Sequence, residues 1–173
     1  MNKPFSIVVA HDLSKGIGID NQLPWHFPSD MAYFKSLTEK ASIGKRNAVI
    51  MGRKTWESIP EQYRPLTGRF NIILSKNTTY TIPETTCLAS SLNNALSYCD
   101  ETIERIFVIG GSKLYYEAIK HPYCEKLYIT LIHKNYNCDA FFPNYEEVFT
   151  KKQLLNKRTE KNTDLDFLEL KKA

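Results

Sequence analysis

Long apolar runs are missing from this sequence of 173 residues, because at no point do about eighteen apolar residues follow one another. A membrane-spanning helix needs such a run. The N-terminus also lacks a basic segment leading into an apolar stretch, which is the pattern of a secretory signal. We therefore expect a soluble cytoplasmic protein that is not secreted and has no membrane partner.

Paired cysteines of the kind that bind metals are missing too. The four cysteines form no C-x-x-C motif and have no histidine at ligand spacing. We expect reduced thiols, with neither disulfides nor a metal site.

A strong charge of one sign is also absent. The 23 basic residues are offset by 19 acidic ones, the net charge is +4, and no basic run is interleaved with aromatic residues. This balance does not favour a nucleic-acid partner and is compatible with a small anionic ligand. The length and the 42% hydrophobic content predict one domain, residues 1–173, which we expect to be a monomer.

Short apolar segments alternate with helical segments along most of the chain. Residues 5–10 are apolar on both faces, which predicts a strand in the middle of a sheet. Two extended segments near the C-terminus, around 150–156 and 165–171, predict a hairpin. The order predicts an α/β fold: a doubly wound, mostly parallel central sheet with a C-terminal antiparallel hairpin. Further strands are predicted at 47–51, 70–74, 86–89, 105–109 and 126–132, and helices from Pro28 and at 53–59, 92–99 and 113–119.

One carboxylate, Asp30, falls in otherwise apolar surroundings. Pro28 suits the first turn of a helix, and Asp30, Met31 and Phe34 then share one helix face. A buried carboxylate needs a hydrogen-bond partner or a raised pKa, and such an acid is useful in protonation chemistry. The alternative is that Asp30 only complements the helix dipole.

Two strand ends lead through glycine into helices. Gly52-Arg53-Lys54-Thr55 and Gly110-Gly111-Ser112-Lys113 place small residues where free N–H groups attract phosphate, and together they suggest a dinucleotide. Either turn alone could be an ordinary helix start, and G-x-G-x-x-G is absent.

The strand at 70–74 ends in Ser75-Lys76 with no adjacent acid, which favours NADP over NAD. A solvated turn is the alternative there. Arg69, just before this strand, could clamp a carboxylate or simply lie on the surface.

Taken together, these motifs resemble dihydrofolate reductase over nearly the whole chain. The resemblance implies the NADPH-dependent reduction of 7,8-dihydrofolate to tetrahydrofolate, with antifolates as inhibitors and no thymidylate synthase segment. The matching segments are Gly16-Ile17-Gly18, Leu23-Pro24-Trp25 with Asp30, Val49 to Ile59, Arg64-Pro65-Leu66 with Gly68-Arg69, Ile109-Gly110-Gly111 with Tyr115, and Asp139 with Phe142-Pro143.

The resemblance also implies roles for individual residues. Asp30 corresponds to the acid that bonds the 2-amino group and N3 of the pteridine ring, with Leu23 and Trp25 beside the reacting atoms, and Arg69 holds the α-carboxylate of the glutamate tail. The other substrate contacts are Val8, Val9, Met31, Phe34, Ile59, Arg64, Leu66, Ile109, Tyr115 and Thr130.

The implied NADPH contacts include the mobile loop from Gly16 to Leu23, and the Gly110–Gly111 bond is cis in this family. The contact residues are Ala10, Gly16, Ile17, Gly18, Ile19, Asp20, Asn21, Gln22, Gly52, Arg53, Lys54, Thr55, Ser58, Leu74, Ser75, Lys76, Gly110, Gly111, Ser112, Lys113, Leu114, Tyr115, Tyr116 and Glu117.

Two departures from the family pattern bear on the site. Ser90 stands where many relatives have Lys or Arg near the 2′-phosphate, so the preference for NADPH rests more on Lys54 and Lys76. Ala140 stands where Asp-Thr is usual. Two rival functions are a pyrimidine-type reductase of the riboflavin pathway and a nucleotide-binding module without catalysis.

Overall fold

The computed structural model describes residues 3–173. The strands are β1 (Phe5–His11), β2 (Gly16–Gly18), β3 (Arg46–Gly52), β4 (Arg69–Leu74), β5 (Cys87–Ala89), β6 (Ile103–Val108), β7 (Cys124–Ile132), β8 (Ala140–Phe141), β9 (Lys151–Glu160) and β10 (Thr163–Lys171). The α-helices are α1 (Pro28–Glu39), α2 (Arg53–Ser58), α3 (Leu92–Ser97) and α4 (Ser112–Ile119), and a 3₁₀ turn covers Glu61–Tyr63.

Eight strands form one sheet in the order β5-β4-β3-β6-β1-β7-β10-β9. The first six pair in parallel, whereas β10 is antiparallel to β7 and β9 is antiparallel to β10. The predicted fold class is therefore confirmed, including the C-terminal hairpin.

Both faces of the sheet are apolar, and β1 shows why. Ile7 packs into one hydrophobic cluster together with α3 and α4, while the adjacent Val8 packs into a second cluster with Trp56 of α2. Successive side chains of a strand point to opposite faces, so a strand that is buried on both sides must be apolar throughout. The prediction that β1 lies in the middle of the sheet is confirmed, since β6 and β7 flank it.

The structure differs from the sequence prediction in the short strands and in the ends of several elements, β6 and β7 included. Residues 13–24, predicted as a loop, contain β2, which pairs with β8 in a small second sheet. The third helix ends at Ser97, before the predicted end at Cys99. Each hairpin strand is also longer than predicted or begins earlier. Strands of two or three residues carry no readable periodicity, and element ends are set by hydrogen bonding that the pattern does not encode.

Within residues 3–173, no helix is both long enough and apolar enough to span a membrane.

One buried amide, that of Asn47, ties the end of α1 to the sheet. Its Nδ2 donates to the carbonyl oxygens of Thr38 and Lys40, each at 2.9 Å, and its Oδ1 accepts from the N–H of Arg105 at 3.0 Å. Asn47 has no exposed surface. A buried polar group with all its partners fixes its neighbours, so Asn47 sets where α1 lies over β3 and β6.

We expect Asn47→Ala to lower the free energy of unfolding by about 2 to 4 kcal/mol, because one buried and two partly buried backbone groups lose their partner. Urea denaturation measures this loss. Asn47→Asp is the variant to compare with Asn47→Ala. It keeps the acceptor for the N–H of Arg105 but removes both bonds that Asn47 donates. If Asn47→Ala unfolds at the wild-type urea concentration, the amide does not fix α1.

Candidate active site

A cleft of about 1600 Å³ opens at the carboxyl ends of the parallel strands. Its wall includes Ala10 near the end of β1, Gly52 and Leu74 at the ends of β3 and β4, and Ile109 after β6. In open α/β sheets this edge is where ligands bind, because the loops that follow the strands diverge there. The helices α1, α2 and α4 contribute the remaining walls.

Asp30, in the first turn of α1, is one of three acidic residues that line the cleft, together with Glu117 and Asp139. The hydroxyl Oγ1 of Thr130 in β7 donates to Asp30 Oδ1 at 2.7 Å. Burial raises the pKa of Asp30 above its ordinary value; the Thr130 hydrogen bond opposes this shift, and the charge of Glu160 adds to it. The carboxyl group thus has one protein hydrogen bond and a lining that favours its protonated form.

Trp25, Phe27, Tyr33 and Phe34 line the same cleft as this acid. Trp25 is buried in a cluster with Phe27 and Phe167, and Tyr33 packs on Phe167 with ring centroids 4.7 Å apart. Burial raises the pKa of Tyr33 to about 12, so its phenol is neutral near pH 7. Phe34 is half-buried, whereas Met31 is 55% exposed and Leu23 is 62% exposed, although both line the cleft. The expected apolar face of α1 is therefore partly open to solvent in the cleft.

Arg69, at the start of β4, is a buried cation in the same cleft. Its Nε donates to the carbonyl of Thr67 at 2.8 Å and its Nη1 donates to Thr38 Oγ1 at 3.0 Å. Both partners are neutral oxygens. Burial lowers the pKa of the guanidinium, and the nearby charge of Glu39 opposes this shift. Among residues 3–173 no carboxylate forms an ion pair with Arg69, so this guanidinium, which is 8% exposed, is suited to an anionic ligand. The alternative of a surface arginine does not match this burial.

The glycine turn before α4 forms the opposite wall. The Gly110–Gly111 peptide bond is cis, as expected, and the N–H of Gly52 donates to the carbonyl of Gly110 at 2.9 Å, which joins the two glycine turns. A Cβ on Gly110 would lie 3.3 Å from Tyr115 Oη and 3.4 Å from Thr55 Oγ1. A side chain here would therefore crowd the surface. The φ of Gly110 is also +129°, a backbone conformation that favours glycine.

Backbone donors face this wall. Helix α4 begins at Ser112 with no side-chain cap on its first turn, and α2 likewise begins after Gly52 without one. Uncapped first-turn N–H groups attract phosphate oxygens. Lys54, Ser75 and Lys76 lie along the same wall, at the positions that the sequence predicted.

A family described as dihydrofolate reductase matches residues 4–172. The chain belongs to the dihydrofolate reductase family. It is 43% identical over 148 residues to a dihydrofolate reductase of Heliothis virescens, covering 82% of this chain and 80% of that protein. The dihydrofolate reductase of Schistosoma mansoni has a similar structure, with a TM-score of 0.86, 34% identity and 100% of both chains covered.

Bifunctional relatives are much longer. The chain is 44% identical over 154 residues to a bifunctional dihydrofolate reductase-thymidylate synthase of Daucus carota, which covers 84% of this chain but 29% of that protein. The chain therefore spans less than a third of the length of these relatives.

Most of the predicted contact residues line the cleft of this dihydrofolate reductase family member. The predicted substrate contacts on its wall are Val8, Val9, Asp30, Met31, Phe34, Ile59, Leu66, Arg69, Ile109, Tyr115 and Thr130, beside Leu23 and Trp25. The predicted cofactor contacts on its wall are Ala10, Ile17, Gly18, Asn21, Gln22, Gly52, Arg53, Lys54, Thr55, Ser58, Leu74, Ser75, Lys76, Gly110, Gly111, Ser112, Lys113, Leu114, Tyr115 and Glu117.

Arg64, which follows the 3₁₀ turn, and Tyr116 on α4 are predicted contact residues that lie outside this wall. The guanidinium of Arg64 turns toward α2, where its Nη1 donates to the carbonyl of Trp56 at 3.0 Å and its Cζ lies 5.4 Å from the Trp56 ring centroid. Tyr116 follows Tyr115 on α4 and faces solvent, because adjacent helical residues point about 100° apart. Their predicted ligand contacts stay predictions, because the structure shows only that both residues lie outside the wall.

Three loop residues are also outside the wall. Gly16 packs against Cys138, since a Cβ on Gly16 would lie 2.6 Å from Cys138 Sγ. Ile19 exchanges backbone hydrogen bonds with Gln22, and Asp20 occupies the turn between them with a φ of 50°. These residues shape the loop rather than face the cleft.

Some wall residues were missed by the sequence reasoning or named there without a contact role. Lys35 follows Phe34 on the cleft side of α1, and Ser90 and Ser91 lie beyond the end of β5. A hydroxyl-rich turn after a predicted strand was a usable signal for the two serines. Lys35 carried none, because an exposed lysine on a helix is the common case.

The raised pKa of Asp30 predicts a pH-dependent cost to stability. A carboxyl group whose pKa is higher in the folded than in the unfolded protein binds more protons when folded, so the free energy of unfolding falls as the pH rises through that interval. We expect Asp30→Asn to be more stable than wild type near neutral pH and to converge with it in acid. Urea denaturation across pH measures the difference.

Asp100 supplies the control of opposite sign. Hydrogen bonds from Thr102 lower its pKa, so the Asp100 charge stabilises the folded protein at neutral pH and that stability is lost as the pH falls. Asp100→Asn should therefore be less stable than wild type at neutral pH. A constant difference for Asp30→Asn at every pH would contradict the raised pKa.

Proposed function

We propose that this protein reduces 7,8-dihydrofolate to 5,6,7,8-tetrahydrofolate with NADPH. The observation that carries the proposal is the partly buried, hydrogen-bonded Asp30–Thr130 pair, because it lies in one cleft with Arg69 and with the glycine turn before α4. Asp30 would bond the 2-amino group and N3 of the pteridine ring, and Arg69 would bind the α-carboxylate of the glutamate tail. Both roles rest on the family resemblance.

The residues of the opposite wall fit NADPH. The flat surface at Gly110 and Gly111 accepts a close approach, and the uncapped start of α4 suits the pyrophosphate. Lys54 and Lys76 suit the dianion at the 2′-position, and members of the family generally use NADPH. When bound, NADPH supplies the hydride that pteridine C6 receives.

The protein side chains orient the substrate and support its protonation at N5. Asp30 would hold the ring, and its charge would favour the protonated state of N5 while water delivers the proton. Tyr115 is itself fixed, because its hydroxyl donates to the carbonyl of Val8 at 2.8 Å. Trp25 and Phe34 give the ring an apolar surrounding, which strengthens the Asp30 interaction.

The loss of NADPH absorbance tests the proposal against its two rivals. Dihydrofolate should be reduced, whereas a pyrimidine-type reductase would instead accept a 5-aminouracil that carries a ribosyl phosphate. A binding module would oxidise NADPH with neither. Inhibition by antifolates, a monomeric state and a cytoplasmic location belong to the same proposal.

Replacing the charge of Asp30 should slow the reaction. We expect Asp30→Asn to lower hydride transfer near neutral pH by about 10²- to 10⁴-fold, because the shape is kept and the acid-base assistance is lost. Much of the rate should return in acid, where solvent protonates the substrate. Single-turnover NADPH oxidation from about pH 5 to about pH 9 measures both effects. Wild-type hydride transfer in the variant near neutral pH would mean that Asp30 only complements the helix dipole.

Removing the guanidinium of Arg69 should weaken the binding of substrates that carry a glutamate tail. We expect Arg69→Leu to raise the KM for dihydrofolate by an amount equivalent to about 2 to 5 kcal/mol, with a smaller effect on a pterin without the tail. Arg46→Leu, which removes an exposed guanidinium outside the cleft, is the control. Equal losses for tailed and tailless substrates would contradict the assignment.

Reversing the charge of Lys76 should discriminate between the two dinucleotides. We expect Lys76→Glu to weaken the binding of NADPH far more than the binding of NADH, since only NADPH carries the additional dianion. Steady-state kinetics with both cofactors measure the ratio. Lys120→Glu, after α4 and outside the cleft wall, should leave that ratio unchanged. Equal weakening of both cofactors by Lys76→Glu would show that Lys76 does not bind the 2′-phosphate.

A further inference from the structure

The tip of the β9–β10 hairpin lies against the start of α1. The hairpin turns at Lys161 and Asn162, whose φ angles of 54° and 61° suit the tight turns that join antiparallel strands. Next to this turn, Oε1 of Glu160 accepts a hydrogen bond from the N–H of Ser29 at 3.2 Å and one from Ser29 Oγ at 2.6 Å. Lys161 Nζ also donates to the carbonyl of His26.

Helix α1 has no cap of its own. Its N-cap residue is Phe27, which has no side-chain acceptor, and Pro28 removes one donor from the first turn. Glu160 is 131 positions away along the chain and supplies the missing acceptor. A carboxylate at this end also complements the helix dipole. The Ser29 hydrogen bonds hold the pKa of Glu160 below its usual range, so the group is ionised near neutral pH.

Ser29 immediately precedes Asp30 in the chain. A contact that fixes the backbone of Ser29 therefore also restrains the position of Asp30. The N–H of Asp30 bonds back to the carbonyl of Phe27 at 3.0 Å, which closes the first turn of α1 around Ser29. From the other side, Thr130 holds the Asp30 carboxyl at 2.7 Å. Asp30 is therefore held between the sheet and the hairpin, while Glu160 lies outside the wall of the cleft.

We propose that Glu160 is a positioning residue for Asp30: by binding Ser29 it fixes the first turn of α1 and thus the direction in which the Asp30 carboxyl meets the pteridine ring. This inference rests on the proposed function for its kinetic consequence. Its electrostatic consequence can be measured without any substrate.

The charges around Asp30 make that measurement interpretable. Among residues 3–173, Glu160 on the hairpin is the charged group acting on Asp30. Tyr33 is the titratable neighbour on its own helix and is neutral near pH 7, and Thr130 on β7 does not titrate. Removing the Glu160 charge should therefore shift the Asp30 titration toward lower pH.

The first experiment follows the Asp30 carboxyl carbon by ¹³C NMR during a pH titration of the protein alone. Glu160→Gln keeps an oxygen that accepts both Ser29 hydrogen bonds but removes the charge, so the Asp30 midpoint should move to lower pH. Glu147→Gln, which neutralises an exposed carboxylate elsewhere, should leave the midpoint unchanged. An unchanged midpoint in Glu160→Gln would overturn the electrostatic part of the proposal.

The second experiment compares Glu160→Ala with Glu160→Gln in steady-state reduction of dihydrofolate across pH. The alanine variant loses both hydrogen bonds, and we expect kcat/KM for dihydrofolate to fall by about tenfold. The glutamine variant should recover most of this loss at the pH optimum, with its pH profile moved to lower pH. Ser29→Ala loses only the hydroxyl donor, so its kcat/KM for dihydrofolate should lie between the values of the two Glu160 variants.

The outcomes separate the proposals. Wild-type kinetics in Glu160→Ala at every pH would overturn the positioning role. Equal losses in both Glu160 variants, with a lower melting temperature and an unmoved pH profile, would show a structural role alone and also overturn it. If the NMR midpoint moves but no variant, wild type included, reduces dihydrofolate, the proposed function fails while the coupling of Glu160 to Asp30 stands.

Discussion

A carboxyl group in an apolar cleft needs support from several parts of the fold, and Asp30 has that support. Thr130 comes from β7, the rings come from the loop before α1 and from β10, and the start of α1 is held by the hairpin tip. Burying such a group is costly unless it is hydrogen-bonded or protonated, so every partner must be in place. The cleft exists in this form because the parallel sheet brings β7 beside β1 and the antiparallel hairpin beside β7.

The two ends of the cleft are built by different means. The wall around Gly110 is made of backbone, where flatness and uncapped N–H groups matter more than side chains. The end around Arg69 is made of a buried cation whose position is fixed by Thr38 and Thr67. A backbone wall suits a ligand with phosphates, and a fixed guanidinium suits a carboxylate. The acid lies in the same cleft, which matches the proposal that an extended anionic substrate meets a dinucleotide here.

Much of the fold could be predicted from the sequence, because a strand that is apolar on both faces must be buried in the middle of a sheet. Residues 5–10 show this, and the glycine-led turns at Gly52 and Gly110 marked the right strand ends. The differences between the sequence prediction and the structure have two causes. β2 and β8 are too short to show a period, and the outward turn of Arg64 depends on the ring of Trp56, which the sequence pattern does not place nearby.

By itself the sequence determined the order of the main strands and helices, the two-sided apolar sheet and the family, and it predicted Asp30 as the acid of the site, because these follow from local patterns and matched motifs. Only the tertiary structure decided which residues surround Asp30. Thr130 and Glu160 lie 100 and 131 positions away from their partners on α1, and no local pattern carries such a pairing. The physical reason is that sheet register and hairpin length place these side chains, and both are set by packing over the whole domain.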